Sequence, residues 1–168
     1  AASCRDGPGT MRLPLLICGI ALLDQLTKLW IRSTFAYGEQ RVVIPGFLNL
    51  HHIHNTGAAW GMLAGWRIPL IAFSLIMLLL LIWRRRELFY GYRFGWVALG
   101  LLAGGIIGNL IDRVFLGYVV DFLDFHHGHW HFPAFNVADS AICIGIGLYL
   151  IGQFRAGREP TAVEQGSG

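Results

Sequence analysis

"WRIPLIAFSLIMLLLLIW", residues 66–83, runs from Ile68 to Trp83 without a charged side chain, and Ser74 is its only hydroxyl. A helix needs about 20 mostly apolar residues to cross a hydrocarbon core of about 30 Å, so this stretch reads as a membrane span. Pro69 falls in its first turn, where a missing N–H costs little. Three further stretches have similar length and character: "LPLLICGIALLDQLTKLWI" (13–31), "RFGWVALGLLAGGIIGNLI" (93–111) and "VADSAICIGIGLYLIGQF" (137–154). The whole chain agrees with them. Of 168 residues 55% are hydrophobic and only 14% charged, which is too apolar for an ordinary soluble domain of this size.

The expected fold is therefore an all-α integral membrane protein, with four transmembrane helices and a small β element or cradle on the outer face. Residues 12–155 form its single domain, between a tail or cloning scar at 1–11 and a cytoplasmic tail at 156–168. Orientation follows from the basic residues. Arg12, Arg84, Arg85, Arg86, Arg93, Arg155 and Arg158 fall on one side of alternating spans, which places both termini in the cytoplasm. The longer segments 32–65 and 112–136 then lie outside, with Arg32, Arg41, Arg67 and Arg113. Topology explains the net charge of +3 better than nucleic-acid binding does. Cys18 and Cys143 sit inside spans and Cys4 in the tail, a pattern that predicts free thiols rather than a disulfide framework.

The spans differ in what they carry. The second is a plain scaffold, whereas the third is rich in glycine ("GLLAGGIIGN"), which suits close helix contact in a bilayer. The first holds Asp24 and Lys28, four residues apart and so on one helix face. Counting about 1.5 Å per residue from Arg12 puts Asp24 roughly 18 Å across the membrane. An ionisable group at that depth requires protein, water or a partner. Two readings stand: a structural pair whose lysine snorkels outward, or the polar wall of a site near the outer leaflet.

Outside the membrane, "RVVIPGFLNLHHIH" (41–54) mixes β-branched and alternating residues around a Pro-Gly turn, predicting short strands or a hairpin. It leads to a turn at Asn55, Thr56 and Gly57, and Trp60 and Trp66 suit an interfacial belt. All seven histidines fall in the outer segments: His51, His52 and His54 in one, His126, His127, His129 and His131 in the other. A metal site is not expected there. No His-Glu-x-x-His helix appears, no cysteine joins the clusters, and strand spacing sends neighbouring rings to opposite faces.

Around the third and fourth spans the acids gather. "GGIIGNLIDRVFLGYVVDFLDF" (104–125) carries Asn109, Asp112, Arg113, Asp121 and Asp124, and "FNVADSAICIG" (135–145) carries Asn136 and Asp139. Asp124 reads as a solvated loop acid, and Asp139 as a first-turn acid that the helix dipole favours. Two carboxylates near a membrane surface suggest ion passage or paired acid/base chemistry. If they approach closely they share one proton, so that one activates water while the other polarises a carbonyl. Cys143 and Ser140 both lack a neighbouring base.

The set "DQLTK" (24–28), "NTGAAWG" (55–61), "GGIIGNLIDR" (104–113), "GYVVDF" (117–122) and "FNVADS" (135–140), in this order among four spans, resembles the bacterial lipoprotein signal peptidases, or signal peptidase II family. The resemblance covers residues 12–155. It implies an intramembrane aspartic endopeptidase, free of cofactor and metal, that removes the signal peptide of a prolipoprotein just before its diacylglyceryl-modified cysteine. It further implies a catalytic dyad of Asp121 and Asp139. Asp24, Lys28, Asn55, Gly57, Asn109, Asp112, Arg113 and Asn136 would line or support the site; Asp112, to which the adjacent Arg113 offers a structural partner within a larger network, is assigned to support rather than to the dyad. The expected setting is the bacterial inner membrane, with a site open to the outer, periplasmic face. Expected partners are the lipid-modified substrate and membrane lipids, with no nucleic acid and a monomeric enzyme. The rival readings are a proton-coupled transporter, whose acids would trace a path across the membrane, and a non-enzymatic scaffold.

Overall fold

The computed structural model describes residues 11–57, 62–89 and 94–156; Cys4, Trp60, Arg93 and Arg158 lie outside the described residues. Helix α1 spans Arg12–Thr34, and strands β1 (Gln40–Ile44) and β2 (Leu48–Asn55) follow it. Next come α2 (Arg67–Trp83), the short α3 (Arg85–Phe89) and α4 (Gly95–Phe115). Strands β3 (Val119–His127) and β4 (Trp130–His131) then lead to α5 (Val137–Ala156). Helices α1, α4 and α5 are each long and apolar enough to cross a membrane, while α2, at 17 residues, is more apolar but shorter. The expected spans thus match helices to within a few residues, and α3 is an unanticipated helical turn in the basic link.

Helix α4 is the axis of the bundle, because its glycines let two neighbours approach its backbone. A Cβ at Gly100 would meet Leu16 Cδ2 at 2.6 Å, and one at Gly104 would meet Ile20 Cβ at 2.8 Å. These positions, with Gly108, repeat every fourth residue and so form one smooth strip against α1. On another face, a Cβ at Gly105 would lie 2.5 Å from the backbone oxygen of Ala138 in α5. Helix α5 reciprocates through Gly145, whose Cβ would stand 3.1 Å from the backbone oxygen of Ala98. Apolar surface is turned outward on the other helices, as at Leu22, Leu29, Ile68, Leu79 and Ile151, which befits lipid contact.

At one end of this bundle lies an antiparallel sheet in the order β1-β2-β3-β4. Segment 41–54 does form the expected hairpin, turning at Pro45 and Gly46. The segment after α4 departs from the loop expected there: it forms the nine-residue strand β3, the centre of the sheet. Its Val119, Val120 and Phe122 are buried, and Val120 and Phe122 pack with Ile31 and Phe35 at the end of α1. An apolar run of four to eight residues after a helix does not reveal whether it continues the helix or pairs as a strand. Here Gly117 decides, since its φ of +86° ends α4 and turns the chain.

The glycine contacts predict a large asymmetry between neighbouring positions. Gly105→Val should destabilise the protein by roughly 1–3 kcal/mol by forcing α5 off α4. Gly147→Ala, where no atom lies within 4 Å, should not lower the melting temperature measured in detergent.

Candidate active site

Lys28 is the only cation at the centre of the polar network among the described residues, and it is 2% exposed. Its ammonium has three hydrogens to donate. They point at Asp24 Oδ2 (2.8 Å), Asp112 Oδ2 (3.0 Å) and Asn109 Oδ1 (2.9 Å). The reading in which this lysine snorkels outward therefore fails, and so does the pairing of Asp112 with Arg113. Adjacent residues on a helix point about 100° apart, which leaves Asp112 facing α1 while Arg113 faces away. Arg113 instead donates to the backbone oxygens of Gly57 (3.1 Å) and Asn109 (3.5 Å).

The two acids bonded to Lys28 also hold other elements in place. Asp24 Oδ1 accepts the Ala138 N–H (2.9 Å), one of the donors that the first turn of α5 leaves unpaired. Asp112 Oδ2 accepts the Val120 N–H of β3 (3.0 Å). Gln25, an unassigned residue inside the first motif, donates to Asp112 Oδ1 (3.0 Å) and the Gly108 oxygen (3.1 Å). Its signal was weak, because a neutral amide one position away from a charged pair resembles any polar helix residue.

Lys28 also fixes the direction of the next bonds. An ammonium cannot accept, so Asn109 must turn its oxygen to Lys28 and its amide hydrogens the other way. That amide donates to Asp139 Oδ1 at 2.7 Å. Asn136 lies between both acids. Its side-chain amide donates to Asp121 Oδ1 (2.7 Å) and, at 3.2 Å, to Asn109 Oδ1. Its side-chain oxygen accepts the Asp139 N–H (3.0 Å), and its own N–H donates to Asp139 Oδ2 (3.1 Å). The last two bonds form a reciprocal capping box at the start of α5, so the expected helix-end role of Asp139 is real and coexists with its place in the site. Asn55, at the end of β2, donates to Asp121 Oδ2 (2.8 Å) and accepts the Gly57 N–H (2.9 Å).

All four oxygens of Asp121 and Asp139 thus receive a neutral N–H donor, and no cation forms an ion pair with either acid among the described residues. Burial, followed by the negative charge of Asp139, holds the Asp121 carboxyl up at about 7, against the opposing bonds from Asn55 and Asn136. A carboxyl in that range exchanges its proton near neutrality.

Both acids stand at the polar end of a cavity of about 1360 Å³. Pro69, Phe73, Met77 and Leu81 of α2 form one wall, Ile142, Cys143 and Ile146 of α5 the other, and Leu102 and Ile106 of α4 the back. Phe132 and Phe135, in the link before α5, also line the cavity. Cys18 and Cys143 are free thiols.

Asp124 and several of the outer histidines have local partners. Asp124 is not a solvated loop acid: it lies in β3, 5% exposed, and accepts bonds from Asn49 (3.3 Å) and His131 Nδ1 (2.9 Å). Burial raises its carboxyl, but these two bonds outweigh that and leave it below its ordinary range. His54 stacks on Tyr118 at 3.7 Å, and His52 Nδ1 meets the Phe35 oxygen at 3.1 Å.

Two carboxylates bridged by one asparagine, Asp121 buried and Asp139 partly so, thus stand between the long apolar helices and the sheet, an arrangement suited to acid/base chemistry. The family model described as "Signal peptidase (SPase) II" matches residues 16–155. A lipoprotein signal peptidase of Syntrophotalea carbinolica is 45% identical over 150 residues, covering 87% of this chain and 93% of that protein. One of Ralstonia nicotianae is 45% identical over 161 residues, covering 92% of each. A solved structure described as a bacterial membrane enzyme, determined by the in meso method at 2.3 Å, superposes with a TM-score of 0.82 at 35% identity. That match covers 94% of this chain and 96% of the other. The chain belongs to the signal peptidase II family, and is accordingly a multi-pass membrane protein and an aspartic endopeptidase.

Removing the central cation should be felt as stability. Lys28→Met leaves Asp24 and Asp112 buried without their counter-charge, a loss of about 3–5 kcal/mol, to be read as a lowered midpoint of thermal unfolding in detergent.

Proposed function

We propose that the protein cuts the signal peptide from diacylglyceryl-modified prolipoproteins, just before the lipidated cysteine, with Asp121 and Asp139 as its catalytic dyad. The observation that carries this reading is the bridging of both acids by Asn136 at the head of an apolar cavity. Asp121, with its carboxyl up at about 7, holds the shared proton at the start and polarises the scissile carbonyl. Asp139 takes a proton from the attacking water, whose oxygen bonds to the carbonyl carbon. As the tetrahedral intermediate collapses, the carbon–nitrogen bond breaks and the departing cysteine nitrogen receives a proton from the dyad.

The remaining residues support that pair. Asn55, Asn109 and Asn136 orient the carboxylates, Asp24, Lys28 and Asp112 fix Asn109 and the start of α5, and Arg113 holds the Gly57 turn beside the site. Acyl chains enter sideways between α2 and α5, where each buried methylene contributes about 0.8 kcal/mol. In this reading all four long helices span the inner membrane, both termini are cytoplasmic, and the site faces the periplasm. The protein acts as a monomer in residues 12–155, with the sheet as a cradle on the bilayer surface. Asp24, Asp112, Asp121 and Asp139 gather at one end of the bundle, whereas a transporter would need them spread along a path.

The test is cleavage of a diacylglyceryl-modified prolipoprotein by purified protein in detergent. Asp121→Asn and Asp139→Asn should each abolish cleavage while melting near the wild-type temperature; activity surviving in either removes that acid from the dyad. A pH profile supplies a second check. Ionisation of Asp121 as pH rises through about 7 removes the shared proton, so kcat/KM should fall on the alkaline side with an apparent pKa of about 7. A flat profile from pH 6 to 9 would contradict that role, those limits being about one to two units either side of it.

A further inference from the structure

We infer that Arg67 is a positioning residue that clamps the α2 wall of the cavity to α4 and so governs how tightly the lipid-modified substrate is held; this rests on the proteolytic reading above. Arg67 is the first residue of α2. Its Nε donates to the Arg113 oxygen (2.8 Å) and its Nη2 to the Val114 oxygen (2.7 Å). Both acceptors lie in the last turn of α4, where helix geometry leaves carbonyls without intrahelical donors. The Leu116 N–H makes the ordinary helical bond to the Asp112 oxygen, and the Gly117 N–H turns back to that same oxygen rather than to that of Arg113, which leaves these carbonyls to the guanidinium. Gly117, on which the chain turns at a φ of +86°, lies beside it, and an added Cβ would be in ordinary van der Waals contact with Arg67 Nη1 at 3.5 Å. A cation at a helix C-terminus also complements the helix dipole.

Burial within α2 is sparse. Only Leu70 and Ser74 of the helix are buried, although Pro69, Phe73, Met77 and Leu81 line the cavity. Helix α4 is in a different position, since its glycine strips hold it against α1 and α5 without help from Arg67. Losing the clamp should thus free the wall and leave the axis in place. The acids would keep their partners, so substrate binding should suffer before chemistry does.

The experiment compares wild type, Arg67→Met and Arg67→Lys in cleavage of the diacylglyceryl-modified prolipoprotein. Arg67→Met should raise KM about five- to tenfold through loss of two charge-assisted bonds, with kcat within about twofold. Arg67→Lys, which can still reach a carbonyl, should recover part of the loss. A second readout needs no substrate. Cys143 lines the cavity, so its maleimide labelling, followed peptide by peptide by mass spectrometry, should quicken in Arg67→Met, while labelling of Cys18 on α1 stays constant. Unchanged KM together with unchanged Cys143 labelling overturns the clamp, as does a loss of kcat that follows a lowered melting temperature. If wild type fails to cleave, the proteolytic reading falls, and the Cys143 comparison alone decides the clamp.

Discussion

The Lys28 ammonium sets the directions of the polar network. Its three bonds are all donated, and that one-way character passes through Asn109 to Asp139. The acids that neutralise it, Asp24 and Asp112, also accept backbone N–H groups at the start of α5 and in β3, and Asp112 accepts the Gln25 amide as well. One buried charge thereby ties the first, third and last long helices and the central strand to a common point. Isolated, an ion at this depth would cost several kcal/mol; surrounded by acceptors it becomes a fixed reference for the site.

A second constraint is the absence of side chains on α4. Gly108 has Asp24 Oδ2 so near that a Cβ would lie 2.6 Å from it. The same smooth strip that lets α1 approach therefore brings the charged network within hydrogen-bonding range. Packing and electrostatics share one geometric cause here: backbones close enough for van der Waals contact between helices are also close enough for short side chains to meet.

Much of the architecture was legible in the sequence, because the 66–83 run and its three counterparts obey a length rule set by the bilayer. The Asp24–Lys28 pair was legible from spacing alone, and Asp121, Asp139 and Asn136 from their motifs. Less legible was everything that depends on which segments meet. Asp112 looked like a partner for Arg113 because they are adjacent, yet its true cation is 84 positions away in α1, as the numbers 112 and 28 show. Asp124 looked solvated because nothing local predicts that Asn49 and His131 enclose it. Strand β3 was hidden because an apolar run does not declare whether its partner is a helix or another strand. Arg67 counted only as an outer-side charge, since its acceptors are backbone carbonyls, which leave no mark in a sequence.

The bond between Asp24 and the Ala138 N–H joins residues 114 positions apart, in the first helix and the last. Strand β2 likewise waits for β3, which is made only after α2 and α4. A chain emerging from the ribosome can insert its first three long helices and still lack the last, with Asn136 and Asp139 not yet in place. A product that ends before Asn136 lacks Asp139 and so cannot bring it beside Asp121. The two acids can meet only after α5 has been made.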